Sequence, residues 1–442
     1  MERLLSGWGR TAASRADVVA PRSSDVPDVV VIQERVLARG LGRSYGDAAQ
    51  SAGGTVIDTS DLRTPLVPGP VMTIGAGESL DAVMRASIPK GWFVPVTPGT
   101  RYVTIGGAIA CDVHGKNHHV DGTFGQHVQS FDVVLADGST QTITPTSDSD
   151  LFWATVGGMG LTGVVTSAKV AMQPIESAYM AVTTKRLDNL DDLFAAMVAA
   201  DRTAPYSVAW VDTLAKGQRL GRSVLTTGYH APKSALAGKA AQAPLQFAPR
   251  SLVTAPKIVP SMLLNKLSVG AFNELWFRKA PQSRTDEIQS ITEFFHPLDG
   301  VQDWNRIYGA PGFLQYQFVV PDGAHEVVRY ALKRLSAAQC PVFLAVLKRF
   351  GPSNDGMLSF PSAGWTLAVD IPARVPGLSE LLDHLDDRVV AAGGRIYLAK
   401  DSRVSRETLQ LMYPRLADFQ AVRDRVDPNR RFTSDLSERL GL

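Results

Sequence analysis

The crowding of glycines into three short clusters constrains this chain more than any other sequence feature. The clusters lie at residues 40–46, 98–110 and 157–163, within a chain of 442 residues that has 38 glycines. Glycine lacks a Cβ atom, so its backbone can turn sharply or come close to a ligand. The sequence therefore predicts three loops that either form tight turns or close around a bound molecule.

The first cluster resembles a dinucleotide-binding fingerprint, but its spacing is GxGxxxG rather than GxGxxG. The residues that follow, 48–54, lack the apolar period of a helix, whereas the Rossmann motif requires a helix at this point. Backbone N–H groups of such a loop can still bind a pyrophosphate without a helix. Alone, the loop is equally compatible with an ordinary glycine-rich turn.

Composition narrows the class of protein. A length of 442 residues predicts two domains, or one domain split by an insertion. The 45 Lys and Arg residues nearly balance the 43 Asp and Glu residues, which argues against nucleic-acid binding. Two cysteines, Cys111 and Cys340, cannot form a disulfide framework, and we expect both to be reduced.

Two further expectations concern localisation. The chain has no run of about 18 apolar residues, and its first ten residues lack an apolar stretch. We therefore expect neither a transmembrane segment nor a secretory signal peptide, and a protein that is soluble or peripheral at the cell membrane.

Short strands broken by glycine, with interspersed helices, predict an α+β fold. In the first third we expect strands at 29–38, 55–58, 72–75 and 163–172, a hairpin at 131–144, and helices at 79–87 and 150–156. Beyond residue 175 glycine becomes scarcer and the elements longer. There we expect strands at 313–320, 342–347, 365–371 and 396–399, a helix around residues 327–335, another that ends at Gly393, and two C-terminal helices.

Residues 231–270 form a distinct segment. It contains five prolines, five Lys or Arg residues and no acidic residue, but many apolar side chains. A long, partly ordered loop is one interpretation; a mobile basic flap that meets a membrane surface or a lipid phosphate is the other.

Taken together and in this order, the three glycine clusters resemble those of the vanillyl-alcohol-oxidase-type family of FAD-binding proteins. In that family the first loop binds the pyrophosphate, and the later loops line the ribityl chain and the isoalloxazine. Within it, the chain resembles the decaprenylphosphoryl-ribose 2-oxidases, and the resemblance runs from Gly7 to the C-terminus. The segments that carry this resemblance are 38–47, 106–119, 274–279, 313–318 and 397–403.

The resemblance implies a two-domain flavoprotein. Residues 1–175 and 395–442 would form the FAD-binding domain, and residues 176–394 a substrate domain with an antiparallel sheet. It also implies non-covalent FAD, because the first loop offers Arg43, Ser44 and Tyr45 but no histidine for covalent attachment. The implied flavin contacts are Gly40, Leu41, Gly42, Arg43, Ser44, Tyr45, Gly99, Thr100, Gly106, Ala110, His114, Gly115, Asn117, Gly163 and Tyr397.

The family's catalytic positions correspond to Lys400 and His114. Lys400 follows the predicted strand 396–399, where a cation could stabilise reduced flavin or hold a sugar hydroxyl. By pattern alone, Gln315 and Gln317 share one face of a strand, where amides suit sugar hydroxyls or water equally. The implied substrate contacts are Lys116, Trp210, Gln315, Gln317, Lys348, Phe350, Thr366, Ala368 and Lys400.

A metal site is one possible role for the clustered histidines at positions 114, 118, 119 and 127. Their spacing in a loop fixes no ligand geometry and the cysteines are not spaced as a pair, so we predict no metal. His118, His119 and His127 are expected to be structural hydrogen-bonding residues.

The chain departs from the family at three positions. Several members carry cysteine where this chain has Ala368, asparagine where it has Thr366, and serine where it has Val208. The cysteine is not thought to take part in the chemistry, but covalent nitroaromatic inhibitors of the family capture it. The missing serine puts one polar substrate contact in doubt.

The resemblance implies FAD-dependent oxidation of the ribose 2′-hydroxyl of a polyprenyl-phosphate ribose. An NAD-dependent short-chain reductase would then complete an epimerisation that supplies cell-wall arabinan. A sugar-alcohol or aldonolactone oxidase of the same fold is the alternative. A flavin-carrying protein without activity is the third possibility, but the polar residues at the catalytic positions argue against it.

Overall fold

The computed structural model describes residues 1–249, 253–256 and 264–442, and it has the mixed α and β composition predicted from the sequence. The structure contains two four-stranded sheets, one eight-stranded sheet and two small two-stranded ones in these residues. Cys111 and Cys340 are both free thiols, as expected.

The first four-stranded sheet has the strand order β1-β2-β4-β3. Strand β1 is antiparallel to β2, whereas β2 and β3 are both parallel to β4. One helix, α1, connects β2 to β3. The elements are β1 (Glu2–Ser6), β2 (Ala13–Val19), α1 (Val26–Ile32), β3 (Val36–Arg39) and β4 (Thr55–Asp58).

The expectation of a strand over residues 29–38 was wrong. Its first part belongs to α1, and only the last residues form β3. Pro27 lies in the first helical turn, where its missing N–H costs nothing. Val26 and Val30, one helical turn apart, are both fully buried, so the valine run packs as a helix face.

The second four-stranded sheet is antiparallel, with the order β5-β9-β7-β8. The predicted hairpin is confirmed as β7 and β8, and the predicted helix α2 begins after Ser79, whose Oγ accepts from the Ala82 N–H. The elements are β5 (Val71–Gly75), α2 (Leu80–Ser87), β6 (Trp92–Phe93), α3 (Ile105–Ala110), α4 (His118–Asp121), β7 (Val128–Val134), β8 (Thr140–Ile143), α5 (Ser149–Thr155), β9 (Val164–Ala171) and β10 (Gln173–Pro174).

The largest sheet is antiparallel throughout, with the order β15-β11-β13-β12-β18-β19-β17-β20. Its elements and connections are β11 (Tyr179–Leu187), α6 (Leu190–Ala200), β12 (Tyr206–Val211), β13 (Ser223–His230), α7 (Gly238–Gln242), β14 (Val253–Thr254), α8 (Lys266–Lys279), β15 (Ser283–Ser290), α9 (Ile291–Phe295), β16 (Val301–Gln302), β17 (Phe313–Val320), α10 (Glu326–Ala337), β18 (Ala345–Phe350), β19 (Gly364–Pro372), α11 (Leu378–Ala391) and β20 (Arg395–Ile396).

The bounds expected for two strands in the second half were wrong. The strand expected at 342–347 runs from Ala345 to Phe350 instead, because Pro341 cannot donate to a ladder and the chain turns there, with the Val342 N–H bonded to the Cys340 carbonyl. The strand expected at 396–399 ends at Ile396, after which residues 397–400 form a turn.

The C-terminal region has three helices rather than two, because Pro414 and Pro428 interrupt the apolar pattern. They are α12 (Arg406–Met412), α13 (Leu416–Val426) and α14 (Asp435–Leu440).

The segment 231–270 is not one continuous loop. Its described parts include α7, β14 and the first residues of α8, which begins after the capping residue Asn265. Residues 250–252 and 257–263 lie outside the described residues.

The C-terminal helices pack against the first glycine cluster. Arg439 on α14 forms ion pairs with Asp47 at 2.8 Å and with Asp401 at 2.9 Å. At Gly46, a Cβ atom would lie 1.7 Å from the carbonyl oxygen of Asp401, so only glycine fits there. In the part of the chain that the structure describes, no helix is long and apolar enough to cross a membrane.

Candidate active site

A cavity of ≈ 1040 Å³ lies between the glycine clusters and one face of the eight-stranded sheet. All three clusters contribute to its wall, with Gly40, Gly99 and Gly163 among the lining residues. Its volume is at the upper end of the range of about 300–1,000 Å³ that is typical of small-molecule sites.

The sheet wall of the cavity is built from alternate residues of neighbouring strands. Gln317 on β17 pairs with Ala368 on β19, and Val346 on β18 pairs with Trp210 on β12. All four line the cavity, as does Gln315 two residues before Gln317. The predicted placement of both glutamines on one face is therefore confirmed.

The glycines in the cavity wall differ in how closely other protein atoms approach them. A Cβ at Gly40 would lie 2.2 Å from Thr104 Oγ1, which caps α3 by accepting from the Gly107 N–H. Gly42 has a φ of +62°, a conformation that glycine adopts without strain. At Gly99, by contrast, a Cβ would meet no atom within 4 Å, so the backbone faces open space in the cavity wall.

His114 is held as a neutral imidazole. The Gln317 amide Nε2 lies 3.0 Å from His114 Nε2 and can only donate, so this ring nitrogen accepts and the proton resides on Nδ1. Burial, aided by the positive charge of Lys348, lowers the pKa of His114 well below its usual value. The buried Nδ1–H has no partner among the described residues, so it can donate to a bound molecule.

Lys400 lies at the junction of the two walls. It follows β20, and its Nζ is 3.6 Å from the centre of the Tyr45 ring in the first glycine cluster. Burial lowers the pKa of Lys400, while the nearby carboxylate of Asp370 raises it. A lysine with a pKa nearer neutrality can act as a cation or exchange a proton.

Two further lysines make the cavity cationic. Burial lowers the pKa of Lys348 to about 8. Burial and the charge of Lys348 together lower the pKa of Lys116 to about 7. Lys116 donates to the carbonyl oxygen of Phe294, and its Nζ lies 4.1 Å from the centre of that ring. The two side chains suit an anionic group.

The structure brings most of the residues predicted for the site into one cavity. Its lining includes Gly40, Leu41, Gly42, Arg43, Ser44, Tyr45, Gly99, Thr100, Gly106, Ala110, His114, Gly115, Lys116, Gly163, Trp210, Gln315, Gln317, Lys348, Ala368, Tyr397 and Lys400.

Three predicted site residues lie behind this lining. The Asn117 amide donates to the Pro95 carbonyl and to Asp121, which holds the loop rather than a ligand. The Phe350 ring packs 4.8 Å from that of His114. Thr366 Oγ1 accepts from the Gln317 amide at 3.2 Å and so helps to orient it.

The other clustered histidines make hydrogen bonds to the backbone. His118 Nδ1 accepts from the Gly351 N–H, His119 Nε2 lies 2.9 Å from the Ala204 carbonyl, and His127 Nε2 lies 2.8 Å from that of Asp121. No group of three or more potential metal ligands occurs among the residues that the structure describes.

Two features of the site were not predicted from the sequence. Asp370 lies opposite Gln315, two residues beyond Ala368, so the same alternation of residues could have identified it. Helix α8 contributes Phe272, Trp276 and Lys279 to the cavity. Its position depends on tertiary packing, for which the sequence offered no signal.

Comparison with known proteins identifies the cofactor. A family model described as an FAD binding domain matches residues 18–144, and one described as D-arabinono-1,4-lactone oxidase matches residues 323–440. The chain is 44% identical to the decaprenylphosphoryl-β-D-ribose oxidase of Mycolicibacterium smegmatis, over 99% of this chain and 97% of that protein. FAD is therefore its cofactor, and it is an oxidoreductase.

The similarity to two other relatives gives less information about function. An uncharacterised protein of Streptomyces coelicolor is 40% identical over 82% of this chain and 100% of its own length. Cytokinin dehydrogenase 5 of Oryza sativa subsp. japonica is 29% identical over 32% of this chain and 29% of its own length.

The residues present fit FAD. The open space at Gly99 admits a group against the backbone, and the buried His114 Nδ1–H lacks a partner that a flavin or its substrate would supply. The unstrained left-handed turn at Gly42 keeps the first loop close to the cavity.

Ala368 occupies the position of the thiol that covalent inhibitors modify in several family members. Its methyl group lines the cavity where several family members have a thiol, and alanine has no nucleophile. We expect nitroaromatic compounds that modify those members to leave this enzyme unmodified after turnover, as judged by intact-mass spectrometry. The Ala368→Cys variant should gain the adduct. An adduct on the unaltered enzyme would contradict this assignment.

Proposed function

Because the chain belongs to the decaprenylphosphoryl-β-D-ribose oxidase family, we propose that it oxidises the 2′-hydroxyl of decaprenylphosphoryl-β-D-ribose to the 2′-keto sugar. The observation that carries this proposal is the single cavity that joins the glycine clusters to the amides and lysines of the sheet. A sugar bound to this sheet face has the loops of the FAD-binding domain opposite it.

Bound FAD supplies the acceptor for the hydride that leaves C2′. Gln315 and Gln317 orient the sugar hydroxyls, and the His114 Nδ1–H donates to the bound molecules. Lys400 meets the hydroxyl that loses its proton: the neutral amine takes up this proton, and the ammonium ion that results stabilises the negative charge that develops on reduction. Lys116 and Lys348 suit the phosphate of the substrate.

The proposal includes a division of the chain. Residues 1–175 and 395–442 would form the FAD-binding domain and residues 176–394 the substrate domain, as the ion pairs of Arg439 with Asp47 and Asp401 support. The FAD would be non-covalent, since no histidine lies in the first glycine cluster.

The product has a defined fate in this proposal. A separate NAD-dependent short-chain reductase would reduce the 2′-keto group from the opposite face, which gives the arabinose epimer for cell-wall arabinan.

An aldonolactone or sugar-alcohol oxidase is the second candidate. The match of residues 323–440 to the D-arabinono-1,4-lactone oxidase model favours it. A small free lactone, however, would leave the phosphate-compatible Lys116 and Lys348 without an anionic partner. The lipid phosphate accounts for them better.

We also propose that helix α8 contacts the membrane that holds the lipid substrate. Leu267 and Leu275 on this helix are 81% and 68% exposed, although both are large apolar residues. At 100° per residue these two leucines lie about 80° apart on the helix, and Trp276, next to Leu275, is 44% exposed and lines the cavity. The exposed Lys266 and Lys279 add positive charge, which attracts anionic lipids.

Vesicle sedimentation tests this contact. The enzyme should bind phosphatidylglycerol vesicles, and the double variant Leu267→Gln/Leu275→Gln should bind several-fold more weakly because it loses apolar anchors. Leu411→Gln is the matched control, since Leu411 is 72% exposed on α12, outside the cavity lining. Equal binding by the double variant and the control would contradict the proposal.

Anaerobic mixing tests the substrate. Farnesylphosphoryl or decaprenylphosphoryl ribose should bleach the flavin absorbance, and a sugar lactone should not. The Lys400→Met variant should keep its FAD but bleach about 100- to 1000-fold more slowly, as expected when a charge-stabilising group is lost. Bleaching by the lactone alone would favour the second candidate, and an unaltered rate in the variant would remove Lys400 from the mechanism.

A further inference from the structure

Asp370 is a buried carboxyl group that the proposed mechanism does not use. It has no solvent exposure, and its strand position on β19 is directly opposite Gln315 on β17. The Gln315 amide donates to its Oδ1 at 2.5 Å, whereas its Oδ2 makes no short hydrogen bond among the described residues, and a longer one from Tyr308 lowers the pKa of the carboxyl group. A buried carboxylate with so few donors is costly unless a positive charge compensates it.

The fold places Lys400 near this carboxylate. Strand β20 pairs with β17 on the side opposite β19, and the turn that follows begins with the Tyr397 N–H bonded to the Gln317 carbonyl. The Lys400 N–H then bonds to the Tyr397 carbonyl, which returns the lysine towards the sheet. Its Nζ lies over the Tyr45 ring, whose centre is 5.5 Å from that of Phe313, at the same end of β17 as Gln315.

The two groups influence each other without forming an ion pair within 4.0 Å in the described residues. Burial raises the pKa of Asp370, and the positive charge of Lys400 lowers it. Reciprocally, burial lowers the pKa of Lys400 and the negative charge of Asp370 raises it. Charges separated by a few ångströms interact strongly where water is excluded.

We infer that Asp370 is a positioning residue for Lys400: held by Gln315, its carboxylate provides the counter-charge that retains the lysine as an ammonium ion in the cavity. The inference rests on the proposed role of Lys400 in the oxidation. Asp370 itself need not touch the substrate, since it lies behind the cavity lining.

Other titratable groups near the pair do not replace this carboxylate. Cys111 faces Lys400, but burial raises the pKa of its thiol, which therefore remains neutral near pH 7. Lys348 carries a like charge and lowers the pKa of Lys400. On the other side of Asp370, burial and the carboxylate charge raise the pKa values of Tyr45 and Tyr308 far above neutrality.

A carboxylate raises the pKa of a neighbouring amine, so its removal must lower the pKa of Lys400. At a given pH near neutrality, a larger fraction of Lys400 would then be the neutral amine. Whichever limb of the rate profile depends on Lys400 would move to lower pH.

The Asp370→Asn variant tests the inference without any substrate. Lys400 is labelled with acetic anhydride across a pH series, and the modified peptide is measured by mass spectrometry. We expect the labelling midpoint of Lys400 to fall by about one pH unit or more in the variant. The midpoint of Lys348, measured in the same samples, serves as the internal control and should move less. An unchanged Lys400 midpoint in a variant that retains FAD would overturn the inference.

Two more variants separate this role from a structural one. Asp386→Asn removes another buried carboxyl group, which accepts from Tyr316 on the opposite face of β17, and should lower stability without moving the Lys400 midpoint. If Asp370→Asn does not fold, Tyr308→Phe removes only the buried hydroxyl whose hydrogen bond lowers the pKa of Asp370, so that less of the carboxyl group is ionised. It should lower the Lys400 midpoint by a smaller amount, and no change would contradict the inference.

The flavin reduction rate distinguishes this inference from the proposed function. In the Lys400→Met background, Asp370→Asn should slow flavin reduction no further, because the carboxylate acts through the lysine. An additional loss of tenfold or more would assign Asp370 an independent role. If no ribose substrate reduces the flavin of the unaltered enzyme, the proposed function fails, while the labelling result still stands.

Discussion

The pairing of β17 with β19 on one side and β20 on the other is the constraint on which the site depends. Its register places Gln317 beside Ala368 and Gln315 beside Asp370. Side chains alternate between the faces of a strand, so a slip of one residue would turn both glutamines away from the cavity. The opposite face of β17 is held in place as well, because the Tyr316 hydroxyl donates to the buried Asp386.

The same strand connects the two walls of the cavity. Through β20 it fixes the turn that carries Lys400, and this turn continues into Asp401, which Arg439 joins to Asp47 beside the first glycine cluster. Sheet, lysine and glycine loop are therefore linked by consecutive short contacts. This arrangement explains how residues more than 300 positions apart in sequence meet at one site.

Much of this architecture could be predicted from the sequence, for identifiable reasons. The glycine clusters mark positions such as Gly46 where no side chain fits, and the alternation around Tyr316 marks the faces of β17. Local patterns failed where a proline changed the backbone. Pro27 favoured a helix within a valine run, and Pro341 delayed the start of β18. The sequence also could not show which polar residues reach the cavity surface. Thr366 has a suitable residue type but lies behind Gln317.

In the proposed reaction this cavity holds C2′ of the ribose against the flavin, with Lys400 beside the reacting hydroxyl. The most direct test is anaerobic flavin reduction with farnesylphosphoryl ribose that carries deuterium at C2′, compared with the same compound deuterated at C1′. We predict slower reduction with deuterium at C2′ and an unchanged rate with deuterium at C1′. Slowing by deuterium at C1′ alone, or bleaching that ignores both labels, would contradict this account.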